Sequence, residues 1–165
     1  MTTKTHLETA LKIISRHDIG EVRQNIITSH LSFHSTIVCN PGDILKHFCA
    51  GTTQHFATYL TIQVGKNKHI AFDPVYLQYI NHSCDPNVFF NTTTMQMVCL
   101  KAIVPGDELG FFYPSTEWEM VQSFICHCGN SNCLQYINGA AHIHTDTLRK
   151  YRLTDFILQQ INQQA

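Results

Sequence analysis

Charge is scarce in this chain. Only 14% of the residues are Asp, Glu, Lys or Arg, and the formal net charge is −1. No run of Lys or Arg is available to neutralise a phosphate backbone, so nucleic acid is not an expected partner. Long apolar stretches are missing too. No segment approaches the roughly 18 apolar residues of a membrane-crossing helix, and the opening MTTKTHLETALKIISRH interleaves charge with apolar residues where a signal peptide would carry an apolar block. The expectation is a soluble intracellular protein, cytoplasmic or nuclear, with no membrane partner. Repeats, linkers and low-complexity tracts are absent as well. The eight glycines, at 20, 42, 51, 65, 106, 110, 129 and 139, never stand two apart, so no Gly-x-Gly brings bare backbone up to a ligand. With 165 residues, 44% of them hydrophobic, the chain supports one domain with one core rather than two.

What the chain does contain is a succession of short β-branched and aromatic segments. STIVC at 35–39, ATYLTIQV at 57–64, KHIAF at 68–72, NVFFN at 87–91 and MQMVCLKAI at 95–103 have the composition and partial alternation of strands. Turn formers separate them: NPGD at 40–43, GKNK at 65–68 and PGDE at 105–108. Before them, THLE at 5–8 fits a capping box, and Leu7, Ala10, Leu11 and Ile14 follow at helical spacing, which predicts a helix over about residues 5–16. Thr116-Glu117-Trp118-Glu119 offers a second capping box. Leu148, Leu153, Phe156, Ile157 and Ile161 in a polar tail predict helical turns that close the fold.

Seven cysteines are unevenly distributed. Cys39, Cys49 and Cys99 stand singly and are expected in the core, since a free cysteine packs as a small hydrophobe. Cys126, Cys128 and Cys133 lie together in CHCGNSNC, where Gly129 and Asn130 supply the turn that aims three thiols at one point. Clustered cysteines in a reducing compartment favour a metal over disulfides. Three soft ligands leave a tetrahedral zinc one short; His127 or a distant cysteine must supply the fourth, and Cys84, in YINHSCDPNVFF at 79–90, is the natural candidate.

Three segments in order, NHSCDPN at 81–87, GDELGFFYPSTEWEM at 106–120 and FICHCGNSNCLQYINGA at 124–140, resemble the SET-domain lysine methyltransferases with their post-SET zinc segment, over about residues 30–140. The resemblance implies a mainly β fold with short helices, in which the NHSC and ELGFFY segments cross in a pseudoknot, a threading rare among proteins. It divides the chain into an N-terminal helical flank at 1–30, the SET domain at 31–123, the zinc segment at 124–141 and a C-terminal helical tail at 142–165, all in one compact unit. It also implies structural zinc on Cys84, Cys126, Cys128 and Cys133. S-adenosylmethionine would be contacted by Asn81 through its side chain and by His82 chiefly through backbone. Tyr113 takes the place of the catalytic tyrosine, and Phe111 that of the substrate-channel residue that tunes how many methyl groups are added. The pocket is expected where NHSC meets ELGFFY, with Asn81, His82 and Tyr113 facing it and the zinc segment forming one wall. Trp118 and Phe124 flank that segment, either as a lid or as core anchors.

Methyl transfer to lysine explains these residue types. An ammonium with a pKa near 10.4 holds roughly one part in a thousand or less of free amine at pH 7, so the site must promote loss of a proton. Burial and the positive charge of a sulfonium both lower that pKa. A phenol oxygen at Tyr113 can orient the methyl group through weak C–H···O contacts and exclude water. The chain departs from the family in lacking Gly-x-Gly, with SHLSFHSTIVCNPGD in its place, and in a short stretch at 46–72, where members carry an insert that grips substrate. A lysine-containing protein or peptide is the first substrate class, and a small molecule on the same scaffold, with or without the cofactor, is the second. A zinc-stabilised binding module without catalysis is the third reading.

Overall fold

The computed structural model describes residues 10–164. β1 (Leu11–Arg16), β2 (Gly20–Asn25) and β3 (Leu31–Ser35) form an antiparallel sheet in that order. β4 (Ile44–His47) belongs to a second sheet. β5 (Cys49–Gln54), β6 (Thr61–Gly65) and β7 (Lys68–Asp73) make a third, with β7 in the middle. After β8 (Asn81–His82) come β9 (Val88–Asn91) and β10 (Gln96–Cys99), and β10 lies between β9 and β4. β11 (Gly110–Phe111) pairs in parallel with β8, and β12 (Phe124–Ile125) pairs antiparallel with β13 (Tyr136–Ile137). Two helices, α1 (Thr145–Leu148) and α2 (Asp155–Gln164), end the chain. The fold is mainly β with short helices, as the sequence implied. No helix among the described residues is long and apolar enough to cross a membrane.

The predicted N-terminal helix is corrected. Residues 5–9 lie outside the described residues, and 11–16 are strand β1, hydrogen-bonded along β2. Of the predicted stripe, Ala10 is buried but Ile14 is 48% exposed, so the stripe is not buried as one helical face would be. The capping box at 116–119 starts no helix either. Tertiary partners take the polar groups there: Ala140 N donates to Glu117 O (2.9 Å), Ala141 N to Trp118 O (2.9 Å), and Trp118 N to Gln63 Oε1 (3.0 Å). Gly139 makes this approach possible, because its φ is 85° and a Cβ would lie 2.6 Å from Trp118 O. Cys39 and Cys99 are buried as expected, whereas Cys49 is exposed on β5, with its thiol 3.5 Å from Asp73 Oδ2.

Aromatic packing organises the main core. Phe90, fully buried, meets Phe48 edge-on at 5.5 Å, Phe72 at 4.7 Å and Phe111 edge-on at 4.8 Å, joining the sheets of β9 and β7 to β11. A second cluster gathers Phe112, Leu148, Leu153, Phe156, Ile157 and Ile161 under α1 and α2. The Tyr151 ring stacks on Phe112 at 3.7 Å and its hydroxyl donates to Cys84 O (2.9 Å), tying the C-terminal tail to the NHSC segment. Phe90→Ala should lower the free energy of unfolding by about 3–5 kcal/mol, measured by denaturant titration, since the neighbouring rings cannot collapse into the space together. A loss below about 1 kcal/mol would contradict this account of the core.

Candidate active site

The site begins with Asn87, directly after the Asp85-Pro86 turn. Its N–H donates to Gly110 O (3.1 Å), its Oδ1 accepts from Gly110 N (2.9 Å) and its Nδ2 donates to Glu108 O (2.9 Å). These bonds hold the segment after β8 against β11, in register Gly110 with Asn81 and Phe111 with His82. Ser83 N completes the crossing by donating to Phe111 O (2.9 Å). Gly110 is required here, since a Cβ would lie 2.9 Å from Ser83 Cβ.

Just past the crossing, Asn81 and Tyr113 reach one cavity of about 730 Å³. Asn81 Nδ2 donates to Leu31 O (2.8 Å), and Ser29, His30 and Leu31, at the start of the stretch that stands in place of Gly-x-Gly, line that side of the cavity. Phe111 lines the floor, its ring 4.7 Å from that of Tyr113. The loop at 57–60 closes one side, and Met120, Val121 and Gln122, which precede the zinc segment, form another wall with Phe124, the one residue of that segment in the lining. Phe124 therefore faces the cavity, whereas Trp118 packs with the second hydrophobic cluster as a core anchor. Burial, reinforced by the nearby Glu117 charge, pushes the Tyr113 hydroxyl up to about 12, so the phenol keeps its proton near neutral pH.

His82 does not share this cavity. It borders a separate one of about 250 Å³ with Ser83, Glu108 and Cys128. Its Nδ1 accepts from Tyr113 N (3.2 Å), which leaves the proton on Nε2, 3.3 Å from Cys84 Sγ. Burial lowers its pKa to about 4, so the ring is neutral and supports the Tyr113 backbone.

Sequence reasoning missed Glu117. This side chain lines the cavity at 7% exposure; its Oε1 accepts from Gln63 N (2.8 Å) and from the Thr116 hydroxyl (3.0 Å). Desolvation raises its pKa from 4.5 to about 7. The one available signal was an acid four residues after Tyr113, and together with Glu119 it read as part of a helix cap.

Beside the cavity, the sulfurs of Cys84, Cys126, Cys128 and Cys133 all lie within 4.8 Å of one another, close to the roughly 3.8 Å edge of a tetrahedron with metal–sulfur bonds of about 2.3 Å. This group could hold a metal ion, whereas His127 is exposed and takes no part. Burial pushes the Cys84 thiol up, and Cys126 to about 11. At Cys128 desolvation also pulls upward, but hydrogen bonds from Asn130 and Cys84 hold the thiol at about 6. A divalent cation at the centre would favour the thiolate in all four.

Two strands crossing in parallel, a tyrosine at the exit of the crossing and a cysteine cluster closing one wall define a class of protein. The chain belongs to the SET-domain family, whose profile matches residues 10–114. It is 40% identical over 102 residues to "Methyltransferase flvH" of Aspergillus flavus, covering 61% of this chain and 57% of that protein. It is also 32% identical over 68 residues to a "Histone-lysine N-methyltransferase, H3 lysine-36 specific" of Candida albicans, covering 38% of this chain and 8% of that protein. The chain thus spans little more than half of the first relative and a small part of the second.

The raised carboxyl has a consequence for stability. Between the unfolded value near 4.5 and the folded value of about 7, the folded state binds more proton than the unfolded one. The contribution of Glu117 is therefore fully present below pH 4.5 and is lost as pH rises through 7. Chemical denaturation from pH 4.5 to 7.5 should show that Glu117→Gln gains stability relative to the parent as pH rises, by on the order of 3 kcal/mol at most. Parallel stability profiles for the two proteins would contradict the raised pKa.

Proposed function

We propose that this protein is an S-adenosylmethionine-dependent methyltransferase acting on an amine nitrogen, with a lysine side chain as its substrate class. The observation that carries the reading is the convergence of Asn81, Phe111 and Tyr113 on one cavity within a chain of the SET-domain family.

The residues present fit the cofactor. The cavity has room for a ligand of that size. Among the described residues no Lys or Arg lines it, and the one carboxylate that does suits a cationic sulfonium. Asn81 and the Ser29–Leu31 backbone would hold the methionine part, and strand polar groups can serve there without Gly-x-Gly. When bound, S-adenosylmethionine supplies an electrophilic methyl carbon. Tyr113, its phenol protonated, orients the reacting groups through its oxygen and excludes water, while Phe111 and Phe124 form the apolar sides of the channel. The short loop at 55–60 between β5 and β6 offers little surface for a long peptide, which favours a small amine as the second reading.

Cys84, Cys126, Cys128 and Cys133 form a structural zinc site in this proposal, supported by four thiols of suitable spacing. The site pins the cavity wall at 120–124. Native mass spectrometry should count one zinc per chain, and chelation should loosen the C-terminal segment and lower the melting temperature. A metal-free preparation with unchanged melting would refute the zinc site.

Calorimetry with S-adenosylmethionine and its demethylated product tests cofactor binding directly, and the absence of heat and of competition at millimolar ligand would overturn the methyltransferase reading. Tyr113→Phe should reduce methyl transfer about 100- to 1000-fold with little change in cofactor affinity, since a preorganised polar contact is lost only in the transition state. Transfer at the parent rate would show that Tyr113 is not the orienting group.

A further inference from the structure

Glu117 is more than nine-tenths buried, yet only one of its carboxylate oxygens is engaged. Oε1 takes the N–H of Gln63 and the hydroxyl of Thr116, and among the described residues no hydrogen bond reaches Oε2. No ion pair among the described residues includes Glu117. A neutral glutamine would serve the two bonds at Oε1 as well, so anchoring β6 to the segment after Tyr113 does not account for an acid. Burying a carboxylate without a countercharge is costly, and groups perturbed in this way cluster at functional sites. Glu117 lines the cavity beside Tyr113 and is the only carboxylate there among the described residues; the other titratable groups in the lining are His30, Tyr59, Tyr79 and Tyr113. Of the elements packed on it, β6 presents the neutral Gln63, and the Ala140 N–H accounts for the Glu117 carbonyl rather than the side chain.

We propose that Glu117 is a catalytic residue of this cavity, its free oxygen receiving the nitrogen of an alkylammonium substrate and accepting the proton that must leave before methylation. The inference rests on the reading of the cavity as a site of methyl transfer to an amine. In the step assigned to Glu117, one N–H bond of the ammonium breaks and its electron pair stays on nitrogen. The proton passes to Oε2, so a cation and a carboxylate become a neutral amine and a carboxylic acid, and the proton later leaves to solvent through the cavity mouth. A carboxyl titrating near 7 accepts protons close to neutral pH, where an acceptor is most effective. The same charge selects amines over alcohols of equal size.

The probes are n-butylammonium, its neutral counterpart 1-butanol, and S-adenosylhomocysteine. In protein carrying ¹³C at the glutamate carboxyls, the Glu117 resonance should titrate near 7, and n-butylammonium should move that midpoint downward by about a unit or more, because a nearby cation favours the carboxylate. 1-Butanol should not move it. Glu117→Gln keeps an oxygen acceptor for Gln63 and Thr116; it should weaken n-butylammonium about 10- to 100-fold while leaving 1-butanol and S-adenosylhomocysteine unchanged, and Glu117→Asp should restore part of the loss. If the variant does not fold, the titration of the parent protein decides alone. A Glu117 midpoint indifferent to n-butylammonium overturns the proposal, as does a Glu117→Gln variant that loses S-adenosylhomocysteine and keeps n-butylammonium. Should S-adenosylhomocysteine bind neither protein while n-butylammonium still shifts the Glu117 midpoint, the methyltransferase reading fails and the amine site stands.

Discussion

Everything at the candidate site depends on two residues of parallel strand pairing. Asn81 and His82 lie beside Gly110 and Phe111, and Asn87 holds that crossing with three hydrogen bonds of its own. Parallel pairing requires a long connection, and here the connection carries β9 and β10, so the crossing closes only when the aromatic core around Phe90 is in place. Chain direction carries Tyr113 and Cys84 out of the crossing on the same side; Tyr113 then turns to end in the cavity that Asn81 lines, and Cys84 ends among the late cysteines. The His82 ring lies between Tyr113 and Cys84, accepting from the Tyr113 backbone on one nitrogen and facing Cys84 with the other.

The cysteine cluster acts on the same cavity from outside. The segment from Met120 to Phe124 has only the two-residue pairing of β12 with β13 as regular structure, yet it forms a cavity wall. A metal held by Cys126, Cys128, Cys133 and the buried Cys84 would turn this loosely paired segment into a defined surface. The Tyr151 hydroxyl and Asn132 Nδ2 both donate to the Cys84 carbonyl, so the C-terminal helices brace the cluster as well. Cavity shape, in this view, is set by a metal-compatible site that does not touch the cavity's contents.

Much of this was legible in the sequence because the chemistry is local. Three cysteines in eight residues announce a cluster whatever the fold, and Tyr113 and Phe111 follow from the ELGFFY segment. The strand content was visible in β-branched runs ended by Asn-Pro-Gly-Asp and Pro-Gly-Asp-Glu. What was not legible depended on partners distant in sequence. Leu11 and Ile14 suit a helix as well as a strand, and only the ladder with β2 decides between them. Glu117 read as a capping residue because nothing nearby in sequence shows that Gln63, 54 residues away, claims its oxygen. The missing Gly-x-Gly suggested a damaged ligand site, but the Ser29–Leu31 backbone borders the cavity all the same.

The central claim is that one crossing brings four separate segments to a single cofactor-sized cavity. Hydrogen–deuterium exchange with and without S-adenosylhomocysteine tests it directly, since it reads each segment in the same experiment. The account predicts added protection concentrated at 29–31, 81–83, 110–113 and 120–124, with α1 and α2 unchanged. Protection absent from these segments, or confined to the C-terminal helices, would contradict it.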